Sequence, residues 1–430
     1  MTRARSLVGR GGLALALALA LACGDRAKEA LQGEGAKAAA SDAAPAADPA
    51  KAAADEAAAE EARKRELQHS VVFADRIHYP YVLLLPGTGA DEGEGGDGEP
   101  PPAPTRAALQ EAVRAAFPGN AEDPEVRRLL AMIATEPGEI GAGAPRLLAG
   151  AETDGSDPAQ YERARELLGL YIDVVATHEV VSPSALTDPE LTRGLTREER
   201  AEIGARRWSL VLRGEYRNQH GVRGLRLLQT LVRVVAAQRG ALIHDPDTLE
   251  IVTVDEFAAR RLRASVGNVA DQIPVVPFPD PAHPGLLRLA TRGMRRFGSV
   301  DLELGGVEPA PRDLTRATFL LHGLALAMVR LGEVDRSGIA VSAPDVIAVD
   351  IDDCAQAYAT REAPMPRCAE CPESVEVHLV EREAEPQDPP GHVVARVVAP
   401  RPTSDSEGYA QPQWVREALA ELFGPAPAGG

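Results

Sequence analysis

The sequence predicts an α+β fold in which helices pack on mixed or antiparallel sheets, arranged as two related halves. Stretches with helical apolar spacing alternate with short extended stretches, and several neighbouring strands are separated only by turn residues. The 430-residue chain is also long enough to bury a large core. Strands joined by turns pair antiparallel, because a parallel pair needs a longer crossover connection.

The N-terminus predicts secretion. Arg3, Arg5 and Arg10 precede an unbroken apolar run, residues 13–22, which stops at Cys23. This run is too short for a membrane-spanning helix, which needs about 20 apolar residues. We therefore expect a cleaved signal peptide rather than a permanent transmembrane helix.

The segment resembles bacterial lipoprotein signal peptides, whose cysteine becomes the acylated N-terminus of the mature protein. This resemblance implies that residues 1–22 are removed and that Cys23 is the lipidation site. The leucine that usually stands three residues before the cysteine is Ala20 here, so an ordinary secretory signal is the alternative. In both cases the protein leaves the cytoplasm. Lipidation would anchor it in the cell envelope, at the inner or outer membrane.

Residues 23–66 are predicted to form a disordered, partly helical spacer. They are mostly alanine with scattered charges, and Leu31 is their only large apolar residue, so they cannot form a core. Removing the three signal-peptide arginines takes the formal net charge from −18 to −21. Such a charge argues against nucleic acid or an anionic bilayer as an electrostatic partner. Membrane attachment must then come from acyl chains at Cys23.

Residues 67–265 are predicted to form the first α+β half, with an acidic loop at 87–104. Two apolar runs on either side of Asp245-Pro246-Asp247-Thr248 predict a hairpin, because Asp and Pro favour the first positions of a type I turn. Asp255 is expected to cap the short helix that follows, at 256–262. The other predicted elements are a strand at 81–85, a helix at 106–116, helices with loops over 122–206, a strand in RWSLVLRGEY, and a helix with Leu228, Leu231, Val232 and Val235 on one stripe.

Residues 266–424 are predicted to form the second half, followed by a flexible tail at 425–430. Its strands alternate apolar and polar residues, and several are joined as hairpins. The predicted order is the strand VDLELGGV, a helix at 314–331, a strand pair in GIAVSAPDVIAVDID, the strands SVEVHLVE and HVVARVVA, and a helix at 413–423.

Two stretches, RGLRLLQTLVRVVAAQRGALIHDPDT and TRGMRRFGSVDLEL, resemble segments of bacterial domains of unknown function. A helix, a G-x-[LI]-x-x-D-P-x-T turn and a T-x-G-x-x-x-F-G-x-x-[DE]-L stretch recur in those domains. The resemblance covers roughly half of the body and implies an α+β fold without a known activity. In the second stretch Gly293 and Gly298 suit turns around a short helix, and the side chains of Phe297 and Leu302 are expected to be buried. The matching positions are Thr291, Gly293, Phe297, Gly298, Asp301 and Leu302.

Cys354, Cys368, Cys371 and His378 form the only metal-like spacing in the sequence. A C-x-x-C pair can place two thiolates on one ion, and tetrahedral zinc accepts three cysteines and a histidine. Thiols outside the cytoplasm are usually oxidised, however, so a disulfide from Cys354 to Cys368 or Cys371 is the favoured interpretation. Zinc is the alternative, and a redox role of the C-x-x-C pair comes after both.

Arg292, Arg295 and Arg296 are candidate anion-binding residues. Guanidinium groups together with the backbone N–H groups near Gly293 and Gly298 suit phosphate or carboxylate. The simpler interpretation is a solvated basic face on an acidic protein.

The sequence supplies no catalytic residue. It contains no G-x-S-x-G elbow, no Walker A motif and no H-E-x-x-H pair, which disfavours an enzyme. We therefore expect a non-enzymatic binding or structural role for a lipid-anchored envelope protein, with another envelope protein as partner and no cofactor. The alternatives are a zinc- or thiol-dependent protein and a small-anion binder.

Overall fold

The computed structural model describes residues 71–425, apart from 72, 75, 88–98, 137–168, 218–221, 263–267, 333–341, 359–371, 373, 386–387 and 389–391. Several predicted features lie outside the described residues: the signal peptide, Cys23, the spacer at 23–66, most of the acidic loop, Cys368, Cys371 and residues 426–430. The described chain has the predicted α+β fold, with helices packed on one antiparallel and one mixed sheet.

The first sheet is antiparallel throughout, with the strand order β2-β3-β1-β4-β5. Among the described residues, two helices lie between β1 and β2, three short α-helices lie between β2 and β3, and one long helix connects β3 to β4. Apart from the short helices between β2 and β3, this is the β-α-β-β-α-β order of the ferredoxin-like arrangement. The strands are β1 (Ile77–Leu84), β2 (Gly169–Ala176), β3 (Trp208–Tyr216), β4 (Leu242–His244) and β5 (Ile251–Val252), and the helices are α1 (Arg106–Ala116), α2 (Pro124–Ala134), α3 (Thr177–Val180), α4 (Pro183–Thr187), α5 (Arg197–Glu202) and α6 (Arg223–Arg239).

Local signals in the first half are largely confirmed. The predicted apolar stripe of α6 is buried, and Gly240 ends that helix in the left-handed conformation with φ 60°. The two apolar runs around the D-P-D-T turn pair as the β4-β5 hairpin. Both strands are short, and their side chains are buried.

Two predictions in the first half are wrong. Residues 169–176 were expected within a helical region, but they form β2, because Ile172, Val174 and Val175 suit a strand and β3 offers a complete antiparallel partner. The cap of the helix α7 (Val254–Arg261) is Thr253 rather than Asp255. The Thr253 hydroxyl accepts the backbone N–H of Glu256 at 3.2 Å, and Asp255 already lies inside the helix.

The second sheet contains two three-stranded antiparallel meanders, in the order β6-β7-β8-β11-β10-β9. They meet at the parallel pair β8·β11, and the long helix α9 connects one meander to the other. The elements are α8 (Val269–Gln272), β6 (Val275–Pro279), β7 (Leu287–Thr291), β8 (Asp301–Val307), α9 (Pro311–Leu331), β9 (Ile347–Asp350), α10 (Ile351–Gln356), β10 (Ser374–Arg382), β11 (Val394–Val398) and α11 (Gln411–Phe423).

One hydrophobic cluster runs through both sheets, from Val71 to Phe423. The predicted boundary at 265/266 falls in residues that are not described, and the division into two domains stays a prediction. Among the described residues, α9 is the one helix long and apolar enough to cross a membrane, but 78% of its apolar window is buried inside the fold. This helix is therefore part of the shared core.

Candidate functional site

Two of the three arginines predicted to bind an anion are paired with carboxylates of the same chain. Arg296 lies in the 3₁₀ helix Met294–Phe297, is fully buried, and donates from Nη1 and Nη2 to Asp245 at 2.8 and 3.0 Å. Arg295 donates from Nε to Asp247 at 3.0 Å. The two aspartates belong to the turn between β4 and β5, so these ion pairs join the first sheet to the second.

His392 extends this inter-sheet ion network, which we define as Asp245, Asp247, Arg295, Arg296, Asp301 and His392. His392 Nδ1 lies 2.6 Å from Asp301 Oδ2, and its Nε2 lies 3.4 Å from Asp247 Oδ1. Burial alone would lower the pKa of His392, but the two carboxylates outweigh burial and raise the pKa to about 9. At neutral pH these six residues therefore hold three cations against three carboxylates, and buried Arg261 adds a further cation 3.3 Å from Asp245.

The residues of the T-x-G-x-x-x-F-G-x-x-D-L stretch hold this network in position. Asp301 Oδ1 accepts the Thr291 hydroxyl at 3.1 Å and the Met294 N–H at 3.0 Å. Gly293 and Gly298 flank the 3₁₀ helix with φ of 106° and 73°, values that favour glycine. Phe297 and Leu302 are buried, which confirms the structural interpretation of the motif. Membership of a family stays a prediction.

Arg292 is separate from the network. Its backbone N–H donates to the Pro274 carbonyl at 3.0 Å, and its guanidinium lies 5.6 Å from the centre of the Phe278 ring. Burial lowers the pKa of Arg292. Because Arg295 and Arg296 already neutralise carboxylates, the three arginines form no common anion site, and the anion-binding hypothesis is disfavoured.

The structure places two of the four proposed disulfide or zinc residues. Cys354 on α10 is buried and forms no disulfide with another described residue, and burial raises the pKa of its thiol well above the usual range, which makes it a poor thiolate ligand. His378 on β10 has Nδ1 2.6 Å from the Asp345 carbonyl oxygen. No group of three or more His, Cys, Asp or Glu in the described part of the chain is arranged to hold a metal ion. The disulfide and the zinc site both stay predictions.

A cavity of about 570 Å³ opens on the second sheet. Its volume falls within the range of about 300–1,000 Å³ that is typical of small-molecule sites. Apolar side chains form much of its wall, and polar ones are distributed among them. The lining residues are Asp280, Pro281, Ala282, His283, Arg288, Glu303, Gly305, Val380, Arg396, Val397, Val398, Ser404, Tyr409, Ala410, Gln411 and Pro412.

Alternation along the strands explains how charged side chains reach the cavity. The charged residues are Arg288, Glu303 and Arg396. Each is the direct sequence neighbour of a residue in the hydrophobic core, namely Leu289, Leu302 and Ala395. Successive residues of a strand point to opposite faces, so one face joins the core and the other supplies these charged side chains to the cavity.

Buried ion pairs fix the polar wall of the cavity. Glu303 accepts from Arg288 Nη1 at 3.1 Å and from Arg382 Nη2 at 2.9 Å. Arg288 also donates to Glu385 at 2.6 Å, and Arg382 donates to Asp388 at 2.6 and 2.9 Å. Three carboxylates and two arginines, with Arg396 beside them, give a charge-balanced wall whose side chains are held in place by one another.

A histidine and an aspartate lie in the loop between β6 and β7, at the cavity. His283 Nδ1 lies 3.0 Å from Asp280 Oδ2. The same carboxylate accepts the backbone N–H of Gly306 at 2.8 Å and that of Ala282 at 2.9 Å. Burial raises the pKa of Asp280, but these hydrogen bonds outweigh burial and the net pKa lies below its usual value. Asp280 is therefore an ionised acceptor for the Nδ1–H of His283.

Sequence reasoning missed the cavity, because its walls come from separate strands and from loops that lie more than 100 residues apart. The only local signal is the D-P-A-H spacing at 280–283, which suits an aspartate turn with a histidine three residues later. No protein-family model matches the chain, and neither does any curated protein or solved structure.

Proposed function

We propose that this protein is a lipid-anchored protein of the cell envelope that binds a small molecule in the cavity on the second sheet. The observation that carries the proposal is the cavity itself, because its size, its apolar wall and its fixed polar groups are those of a ligand site. The anchor at Cys23 rests on the sequence alone, and the spacer would hold the folded body away from the membrane.

The charge balance of the cavity favours a ligand without net charge. Arg288 and Glu303 neutralise each other in the wall. Asp280 already accepts hydrogen bonds from the backbone N–H groups of Ala282, in its own loop, and of Gly306, on β8. Glu303 and Asp280 would repel an anion, whereas Arg288 and Arg396 would repel a cation. An uncharged ligand with an apolar part and a few hydrogen-bonding groups meets neither repulsion.

The binding prediction uses Ala282, which is exposed and lines the cavity. We expect Ala282→Trp to fill the cavity and to weaken the binding of uncharged fluorinated fragments about tenfold or more, since the indole occupies the volume that they need. Fluorine-detected NMR on the purified chain measures their affinity. The control is Ala201→Trp, at an exposed position of α5 outside the cavity. Equal fragment binding to both variants, or no fragment binding to the unmodified chain, would contradict the proposal.

The anchor prediction concerns Cys23. In a bacterial host that carries out lipoprotein processing, we expect Cys23→Ala to move the protein from the membrane fraction to the soluble fraction, because the acylated thiol is lost. The intact mass of the membrane-bound protein should begin at Cys23 and include the added acyl chains. Cys354→Ala is the control, since that thiol is buried in the core. Continued membrane association of Cys23→Ala would exclude lipidation as the anchor.

A further inference from the structure

The Asp280–His283 pair has a geometry that binding alone does not need. His283 directs Nδ1 to an ionised, buried carboxylate, which fixes the ring orientation and, in the neutral ring, leaves Nε2 as a proton acceptor. The His283 side chain is 31% exposed and lines the cavity, so a bound molecule can reach it. A carboxylate that orients a histidine at the edge of a ligand cavity is the arrangement used in general-base catalysis.

We infer that Asp280 and His283 form a general-base pair through which the cavity hydrolyses a small uncharged ester. His283 is the catalytic residue, because its Nε2 takes a proton from a water molecule as the water oxygen attacks the ester carbonyl carbon. The carbon–oxygen bond to the alcohol then breaks, and that oxygen leaves with the bonding electron pair. The imidazolium returns its proton to the alcohol oxygen or to solvent, and the acid product ionises. Asp280 is a positioning residue that acts through His283.

The start of α11 supplies a place for the negative charge that develops on the carbonyl oxygen. Ala410, Gln411 and Pro412 line the cavity, and the helix N-terminus at Ala410 has no side-chain cap. The positive end of a helix dipole stabilises an anion. Arg396, whose side chain is 40% exposed, lines the same cavity. Groups of this kind stabilise the oxyanion in acyl transfer.

The buried histidines His322 and His392 lack this combination. His322 is enclosed between the Tyr358 hydroxyl and the Ile273 carbonyl, at 2.7 and 3.0 Å. His392 is held by carboxylates on both ring nitrogens in the inter-sheet ion network. His283 differs from both, because it combines an orienting carboxylate with access to a ligand cavity.

The inference rests on the proposed ligand cavity, and the experiment uses p-nitrophenyl acetate as the probe. We expect His283→Gln to reduce kcat/KM by about 100-fold, which is the range of general-base catalysis. Asp280→Asn should reduce kcat about tenfold and leave KM within about twofold, since it weakens the hydrogen bond that orients the base and keeps the size of the side chain. The control is His78→Gln, which removes a histidine that lies 3.7 Å from Glu215, outside the cavity.

Fragment binding separates the two proposals. If fragments bind normally to His283→Gln while hydrolysis falls, both the cavity and the general base are supported. If fragments bind but hydrolysis is the same in His283→Gln and in the unmodified chain, the general base is excluded and the binding site stands. If the unmodified chain neither binds fragments nor hydrolyses the ester, both proposals are overturned. Circular dichroism of each variant tests whether the fold is retained. We expect Ala282→Trp to reduce hydrolysis as well, because it fills the cavity and leaves both side chains of the Asp280–His283 pair in place.

Discussion

Replacing Asp245 with alanine should reduce the free energy of unfolding by about 3–5 kcal/mol, the usual cost of removing one partner of a buried ion pair. Asp245 accepts from Arg296 at 2.8 and 3.0 Å, from Arg261 at 3.3 Å and from the Tyr79 hydroxyl at 2.7 Å. Without this carboxylate two buried guanidinium groups lose their shared counterion. Burial alone raises the pKa of Asp245, but the two arginines reverse this effect and hold the pKa well below its usual value.

Urea denaturation of Asp245→Ala and of Asp255→Ala measures this effect. Asp255 is an exposed residue of α7, so its replacement should change stability by no more than about 0.5 kcal/mol. The double variant Asp245→Ala with Arg296→Met should be more stable than the sum of the single changes predicts, because the uncompensated charge is removed. A loss below about 1 kcal/mol for Asp245→Ala would show that the inter-sheet ion network does not stabilise the fold.

Alkaline pH should destabilise the protein through His392. The folded pKa of His392 is about 9, above the value of 6.5 that is usual for a solvent-exposed histidine. A group whose pKa is raised by folding contributes its full stabilisation below the unfolded pKa and loses it as pH rises through the folded pKa. We therefore expect about 3 kcal/mol of stability to be lost between pH 6.5 and about 9, since each pKa unit corresponds to about 1.4 kcal/mol. Urea denaturation across this window measures the loss.

The variant His392→Gln should remove most of this alkaline slope. The charged groups that face His392 are Asp247 and Asp301, with Arg295 and Arg296 bound to the same network. The loss of stability at acidic pH is an internal control. Burial lowers the pKa of His322 to about 4, so that histidine destabilises the fold only as pH falls below 6.5. Equal alkaline slopes in both proteins, or an NMR titration of His392 with a midpoint near 6.5, would reject the prediction.

The elements predicted correctly are those whose signal is local. Each of these signals lies within a segment of fewer than about 25 residues. Examples are the apolar stripe of α6, the length of α9 and the Asp-Pro turn of the β4-β5 hairpin. The segment of β2 was expected to be helical, because its own residues suit both states and only its pairing with β3 selects the strand. The cap was assigned to Asp255 instead of Thr253, because both residue types can cap a helix. The backbone conformation, which the sequence does not show, decides between them.

The candidate site could not be found in the same way. Arg295 and Arg296 stand out in the sequence as basic residues beside glycines, but the aspartates that neutralise them lie about 50 positions earlier. The cavity combines a loop after β6, four strands and the start of α11. Asp280 and His283 are close in the sequence, but only the fold brings them to a cavity and gives the carboxylate its backbone hydrogen bonds from Gly306 and Ala282.

Composition and contacts between near neighbours in the chain are enough to predict the α+β class, the strongly periodic helices and strands, and the N-terminal lipid anchor. The acidic net charge follows from composition alone. The tertiary structure alone decided which charges are neutralised, which histidines are enclosed, and where a ligand-sized cavity remains. These properties depend on contacts between residues far apart in the chain, and burial determines how strongly each contact acts.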